Sequence, residues 1–406
     1  MTETLTSRLV TYTVFAFTLG IIGISVTSVI FPALIIYNTY EFSLELNPFE
    51  ASPWLSPVLI STCFLLIIGF LHYTKKLPSS FSKIINSIFN FELSKKVSII
   101  LGISILSIYI GLSIPELFID EKYQWPDYNV LETALRIWPS TEHYSVYVSE
   151  QNTRYVRMIL LDFSQEFFQN IKFLPFLASI STVILTALIS IQLSKKRITG
   201  IIAMIILFQS TTFTDFDTVA VYENFWVLFF LISLYSINKK WWYASPANFI
   251  LGIFTKAFIA TYFWINLFFI YRAEIPQKTK FFLFGSYGLV LGITYYIFET
   301  QRSVIYNDVV RYDFNAFLEA FTGWGSLMHL DPFVLIIIIP LVIGLFVKSL
   351  NGFKQADSIL ILIGGTILAA PLISLVTDFY FILPYRFIPF IVAIAIGVGF
   401  MFSKKN

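Results

Sequence analysis

Few residues in this 406-residue chain could carry out a reaction, and those that could are acids and cations set against apolar runs. Asp120 and Glu121 close one such run, in Ile-Pro-Glu-Leu-Phe-Ile-Asp-Glu-Lys-Tyr. A carboxylate pair beside apolar walls can have one member's pKa raised. Such a group can take the proton of a hydroxyl as a general base. The plainer reading is a solvated loop start. Asp215 and Asp217 stand in Thr-Asp-Phe-Asp. That spacing can hold a divalent cation against a diphosphate, or supply one wall of an acidic pocket. Glu223 follows inside an apolar stretch, where a carboxylate is costly unless it faces a cavity or a partner. Lys256 and Arg386 lie within or directly against apolar segments, and Arg154 and Arg157 precede another. Arginine can clamp a phosphate by paired hydrogen bonds and lysine can hold it as a point charge. The competing reading for all four is snorkelling to the membrane interface.

The elements that must position these groups are membrane helices. Charged residues make up 13% of the chain, apolar residues 57%, and mean hydropathy is +0.76. A soluble domain carries roughly 25% charged residues. Half that proportion cannot cover a water-facing surface, which excludes a soluble enzyme and a disordered chain. A net charge of only +2 gives no footing for nucleic acid. Cys63 is the single cysteine, so no intramolecular disulfide forms, and His72, His143 and His329 show no metal-ligand spacing.

A spanning helix needs about 20 mostly apolar residues. Spans are expected near 10–37, 55–74, 97–119, 173–193, 198–213, 219–237, 281–298, 333–347, 357–376 and 387–402. The first is too long for the roughly 7–15-residue core of a signal peptide. Lysine and arginine in short loops set the orientation. With the N-terminus inside, the inner loops hold 18 of the 27 basic residues but only the acids Glu3, Glu92, Glu274 and Asp357. Lys239, Lys240 and Arg272 are then all inside, so 241–271 crosses an even number of times. Its length allows two helices of about 22 Å each, shorter than the ~30 Å hydrocarbon core. A short hairpin with Lys256 near its outer tip is expected. The resulting fold class is all-α: a polytopic membrane bundle of about 12 passes, both termini cytoplasmic, in the plasma membrane of a prokaryote.

The longest aqueous segment is the outer loop 120–172. Two pieces of it read as amphipathic helices lying on the membrane. In 128–138, Val130, Leu131, Ala134, Leu135 and Trp138 share a face. In 154–169, Val156, Ile159, Leu160, Phe163 and Phe167 share one, with Arg157, Ser164 and Gln165 elsewhere. The inner loop 75–96 is basic and otherwise plain. The chain divides into N-terminal spans with that loop, 1–96, and a larger membrane domain, 97–406.

The order of these features resembles the GT-C superfamily of polytopic glycosyltransferases, above all its protein O-mannosyltransferase and aminoarabinose transferase branches. Asp120-Glu121 resembles the acidic pair that opens the first large outer loop ahead of jaw-like surface helices. Residues 154–193 resemble the surface helix and the span after it. Thr214 to Ile237 resembles a segment in which an acid leads into a Phe/Leu-rich span. Gly-Ile-Phe-Thr-Lys-Ala-Phe at 252–258 resembles a glycine-led Thr-Lys element, and Pro-Tyr-Arg-Phe-Ile-Pro-Phe an arginine-bearing late span. The likeness covers roughly 97–402. Two extra spans precede the acidic pair, where the family usually has one, and a His-Pro-Pro element is absent.

The resemblance implies inverting transfer of a sugar from a polyprenyl- or dolichyl-phosphate carrier to an acceptor hydroxyl on a protein, lipid or glycan, at the outer face. Asp120 would be the base and Glu121 its neighbour or alternate. Lys256, Arg386, Arg157 and Arg154 would hold the leaving lipid phosphate, and Asp215, Asp217 and Glu223 would form an acidic wall. The scheme requires no metal, and a divalent cation at Asp215 and Asp217 stays open beside it. Membrane lipids are the other expected partner. Two alternatives remain: a transporter or flippase for a lipid-linked or anionic substrate, and a non-catalytic membrane subunit of a complex.

Overall fold

A computed structural model describes residues 5–34, 47–139, 154–305, 312–376 and 383–403. Among them every regular element is a helix. Among the described residues eight helices are long and apolar enough to cross a membrane: Ser7–Ile30, Leu55–Tyr73, Lys95–Phe118, Phe173–Ser194, Gln277–Ile297, Pro332–Leu350, Gln355–Ser374 and Pro384–Met401. Four shorter apolar helices, Arg197–Phe208, Phe225–Lys239, Ala244–Thr255 and Ala257–Arg272, occupy the remaining apolar stretches.

Two of the long helices could not exist in water as they stand. Leu55–Tyr73 exposes Ile60, Phe64, Ile67 and Phe70, and Lys95–Phe118 exposes Ile100, Ile103, Ile108 and Leu112. Contiguous apolar surface on this scale marks a lipid-facing side. Gln355–Ser374 and Pro384–Met401 are equally apolar but almost wholly buried in protein.

The helices form two compact units, each assembled from separated stretches of chain: residues 1–101, 189–212 and 310–406 in the first, 102–188 and 213–309 in the second. The first boundary falls close to the division read at 96/97, but the chain beyond 310 returns to the first unit. In that unit, α1 (Leu5–Ile30) packs on helices Phe314–Ser326, Pro332–Leu350 and Gln355–Ser374. Close approach is possible because a Cβ on Gly325 would lie 2.7 Å from the Ser25 Cα. Asp357, in the first turn of its helix, is fully buried there. It accepts hydrogen bonds from Thr11 Oγ1 (2.9 Å) and Ser349 Oγ (2.5 Å).

In the second unit, Phe225–Lys239 and Ala244–Thr255 pack as an antiparallel hairpin turned through Lys240, whose φ of 64° places it in the left-handed region. Gly252 sits where the helices meet: a Cβ there would lie 2.8 Å from Ile259 Cδ1 and 3.4 Å from Phe229 Cβ. The second helix breaks at Lys256, which is extended (φ −156°, ψ 113°), and the chain resumes as a 3-10 turn, Ala257–Tyr262, and the helix Phe263–Arg272. The interruption read at Lys256 is therefore a break in backbone as well as in hydrophobicity.

Candidate functional site

The helix Lys95–Ser113 runs into a 3-10 turn, Ile114–Phe118, with a proline at its start. Asp120 follows in an extended conformation and its carboxylate accepts the Lys122 N–H at 2.9 Å, capping the next turn, Glu121–Tyr123. Adjacent side chains on such a corner point apart. Asp120 is exposed, whereas Glu121 is 2% exposed. The Glu121 carboxylate accepts the backbone N–H groups of Ala220 and Val221, the latter at 3.2 Å. Burial pushes the Glu121 carboxyl above its ordinary value, and the two amides with Lys172 and Arg157 hold it partly back.

The other side of the same dipeptide is held by Arg157. Its surface helix, Tyr155–Phe168, buries Arg157, Met158, Leu161 and Ser164 and exposes Ile159, Phe163 and Phe167. Arg157 Nε donates to Glu223 Oε2 at 2.9 Å, and Nη2 donates to the carbonyls of Val221 (2.8 Å) and Ala220 (3.4 Å). Arg157 and Glu223 are 2% and 1% exposed. Ala220-Val221 is thus gripped by an anion at its amides and a cation at its carbonyls. A guanidinium suits this because its planar fork presents several donors in fixed directions. Arg157 was expected on a lipid phosphate; in the structure its guanidinium is engaged by Glu223 and the loop carbonyls, the pairing that a buried charge requires.

Asp217 anchors the start of this loop. It is 1% exposed, accepts Ser113 Oγ at 2.7 Å, and its carbonyl accepts Ser179 Oγ at 2.6 Å. Asn224 Nδ2 donates to Ser179 Oγ at 2.9 Å and to the Phe216 carbonyl at 3.3 Å. Burial raises the Asp217 carboxyl to about 7 against the lowering influence of Ser113 and Tyr109, with Glu116 and Asp215 adding to the rise. Asp215 is exposed, so the two members of the Asp-x-Asp pair occupy opposite environments. Among the described residues no group of three or more His, Cys, Asp or Glu side chains is placed to hold a metal ion.

Beside the clamped loop lies an open depression of about 310 Å³, lined by Asp120, Glu121, Tyr128, Gln165, Asn170 and Lys172 among others. Lys172 Nζ donates to the carbonyls of Glu116 (2.6 Å) and Ile119 (3.0 Å), which fixes an ammonium next to Asp120. Burial lowers the Lys172 pKa, and Glu121, Glu116 and Asp120 oppose that shift. Asn170 Nδ2 donates to the Leu117 carbonyl at 3.0 Å, so the joint between surface helix and following span is pinned to the same corner. Sequence reasoning passed over Lys172. The signal was there: it is the only lysine or arginine between Arg157 and Lys195, directly ahead of an apolar helix.

The other expected cations belong to both units. Lys256 is 5% exposed, with Nζ 5.7 Å from the centroid of the Trp226 ring, a distance suited to a cation–π contact. Trp226 lies three residues beyond Glu223, so Lys256 shares the end of the unit that holds the Arg157–Glu223 pair, although it does not line the depression. Arg154 is half-buried just ahead of the surface helix, its carbonyl accepting the Met158 N–H. Arg386 belongs to the first unit. It is half-buried and its Nε donates to the Tyr385 hydroxyl at 3.1 Å.

A multi-pass membrane protein built of helices, with a buried ionic clamp beside an open acidic depression, is the class these features define. Compared with known proteins, the chain matches no family model, no curated protein and no solved structure.

Proposed function

We propose that the chain is an inverting glycosyltransferase of the GT-C kind, moving a sugar from a polyprenyl- or dolichyl-phosphate carrier to a hydroxyl on a protein, lipid or glycan. The observation that carries the reading is Asp120. It is an exposed carboxylate at the end of a candidate span, lining an open depression whose walls are fixed by Lys172 and by the clamp on Ala220-Val221.

In this reading Asp120 takes the acceptor's hydroxyl proton as the oxygen attacks the anomeric carbon. The glycosyl–phosphate bond breaks and its electron pair leaves on the phosphate oxygen. Fixed cations at the leaving phosphate stabilise that charge. Lys172 supplies one beside Asp120. Lys256, Arg154 and Arg386 enter through the resemblance as holders of the lipid phosphate. Arg157, Glu223 and Asp217 act by shaping the loop, and no metal is required.

The same proposal takes the eight long and four short apolar helices as 12 passes with both ends cytoplasmic, in a prokaryotic plasma membrane. The helices Tyr128–Ile137 and Tyr155–Phe168 then lie on the outer surface. The second turns Ile159, Phe163 and Phe167 away from the protein, as a helix resting on lipid does.

The test is transfer from a radiolabelled polyprenyl-phosphate sugar by purified protein in its native lipid extract. Asp120→Asn is expected to lower the rate by about 10²–10⁴-fold, the usual contribution of a positioned base. Undiminished transfer by that variant would remove Asp120 from the reaction.

A further inference from the structure

The loop 75–96 read as basic and plain, but the structure folds it into a 12-residue helix, α2 (Ser79–Asn90). At 100° per residue, Ile84, Ile88, Phe81, Ile85 and Phe89 fall within one arc. Lys83, Asn86, Ser87 and Asn90 fall on the opposite side. One edge of the apolar arc docks on the protein: Phe89 packs on Phe402 (ring centroids 5.3 Å apart), and Lys196 Nζ donates to the Phe89 carbonyl at 2.5 Å. The other edge is more than half exposed. Phe81, Ile84 and Ile88 are 61%, 58% and 53% exposed, and Phe91 just beyond them is 52% exposed.

Two further facts say what covers this edge. The helix is tied at both ends to candidate spans: Tyr73 ends one span, and Lys95 begins the next. Five residues before the helix and four after it reach at most ~18 Å and ~14 Å, which holds the helix at the end of both spans. The first link is a tight reversal in which Lys75 takes φ 57° and the Lys76 N–H bonds the Leu71 carbonyl at 2.9 Å. Around the helix, Lys75, Lys76, Lys83, Lys95 and Lys96 are all exposed, against the single acid Glu92. An apolar edge at the membrane boundary, ringed by lysines, matches the chemistry of an anionic lipid surface.

We propose that α2 is an interfacial helix that inserts Phe81, Ile84, Ile88 and Phe91 at the headgroup–acyl boundary while the five lysines bind anionic phospholipid. It stands independently of the catalytic reading, because it uses no residue of the depression or the clamp.

The experiment uses the full chain with Cys63→Ser, carrying bimane on either Ile88→Cys or Asn86→Cys, in nanodiscs of phosphatidylcholine with or without about one third phosphatidylglycerol. Lipid brominated near the top of its acyl chains is expected to quench the Ile88 site at least about twofold more than the Asn86 site, with the larger gap when phosphatidylglycerol is present. Changing the five lysines to glutamine is expected to abolish the phosphatidylglycerol dependence. Equal quenching at both sites, or quenching of Ile88 by aqueous iodide instead, would overturn the proposal. So would protection of Ile88 that appears only with a second copy of the chain or another protein.

Discussion

Asp120 and Glu121 are neighbours in sequence and opposites in structure, and the regions they belong to differ in the same way. Glu121 joins a sealed network with Arg157, Glu223 and the backbone of Ala220-Val221, in which each charge meets fixed donors or acceptors. Asp120 joins an open depression, where the amide of Lys122 is its donor among the described residues. A charge buried with its partners fixes shape but cannot meet a substrate. A charge left on an open wall adds little stability and is reachable. The clamp is therefore the part that positions, and the depression is the part that can react.

The contrast breaks most severely at Arg157. Arg157→Ala leaves Glu223 and two carbonyls buried without a donor, and should cost about 3–5 kcal/mol, read as a lowered unfolding midpoint in detergent. The double change Arg157→Met with Glu223→Leu should recover most of that loss, because it removes both charges together.

Asp217 gives the contrast a pH signature. Its carboxyl lies near 7 in the folded protein, above the ordinary 3.8, so between those values the folded state holds the extra proton. Its contribution is then most favourable below about pH 4, is lost as pH rises towards 7, and is flat above, with a slope of up to about 1 kcal/mol per pH unit. Unfolding midpoints across pH 4–8 should lose that slope in Asp217→Asn.

Glu121→Gln keeps one acceptor for the loop amides but sets an N–H₂ group against the other, and should cost about 1–3 kcal/mol by the same thermal measurement. The smallest effect is expected at Asp120 itself. Asparagine caps a turn as well as aspartate, so Asp120→Asn should change stability by no more than about 0.5 kcal/mol while lowering transfer about 10²–10⁴-fold. A large stability loss there would mean that Asp120 belongs to the clamp after all.

Much of the architecture was readable because a membrane imposes length and composition. The eight long helices, the break at Lys256 and the face of Leu131 and Ala134 on Tyr128–Ile137 all follow from runs and periodicity. The site was less legible. Arg157 and Glu223 lie 66 residues apart, and no local pattern says that they meet. Asp120 and Glu121 look equivalent until the backbone turns between them. Surface helix 155–168 reads as amphipathic, but Arg157 and Ser164 turn inward with Met158 and Leu161 while Ile159, Phe163 and Phe167 stay exposed, because Arg157 has its partners in the loop. The helix in 75–96 was hidden by its lysines and serines, although its apolar residues keep helical spacing.

The account rests on Asp120 facing the side of the membrane opposite the lysine-rich loops. Asp120→Cys and Lys83→Cys, each with Cys63→Ser, can be reacted with a membrane-impermeant maleimide in intact cells and again after permeabilisation. Labelling of residue 120 in intact cells, with residue 83 labelled only once the membrane is opened, is the predicted result. Labelling of residue 83 from outside, with residue 120 protected, would contradict it.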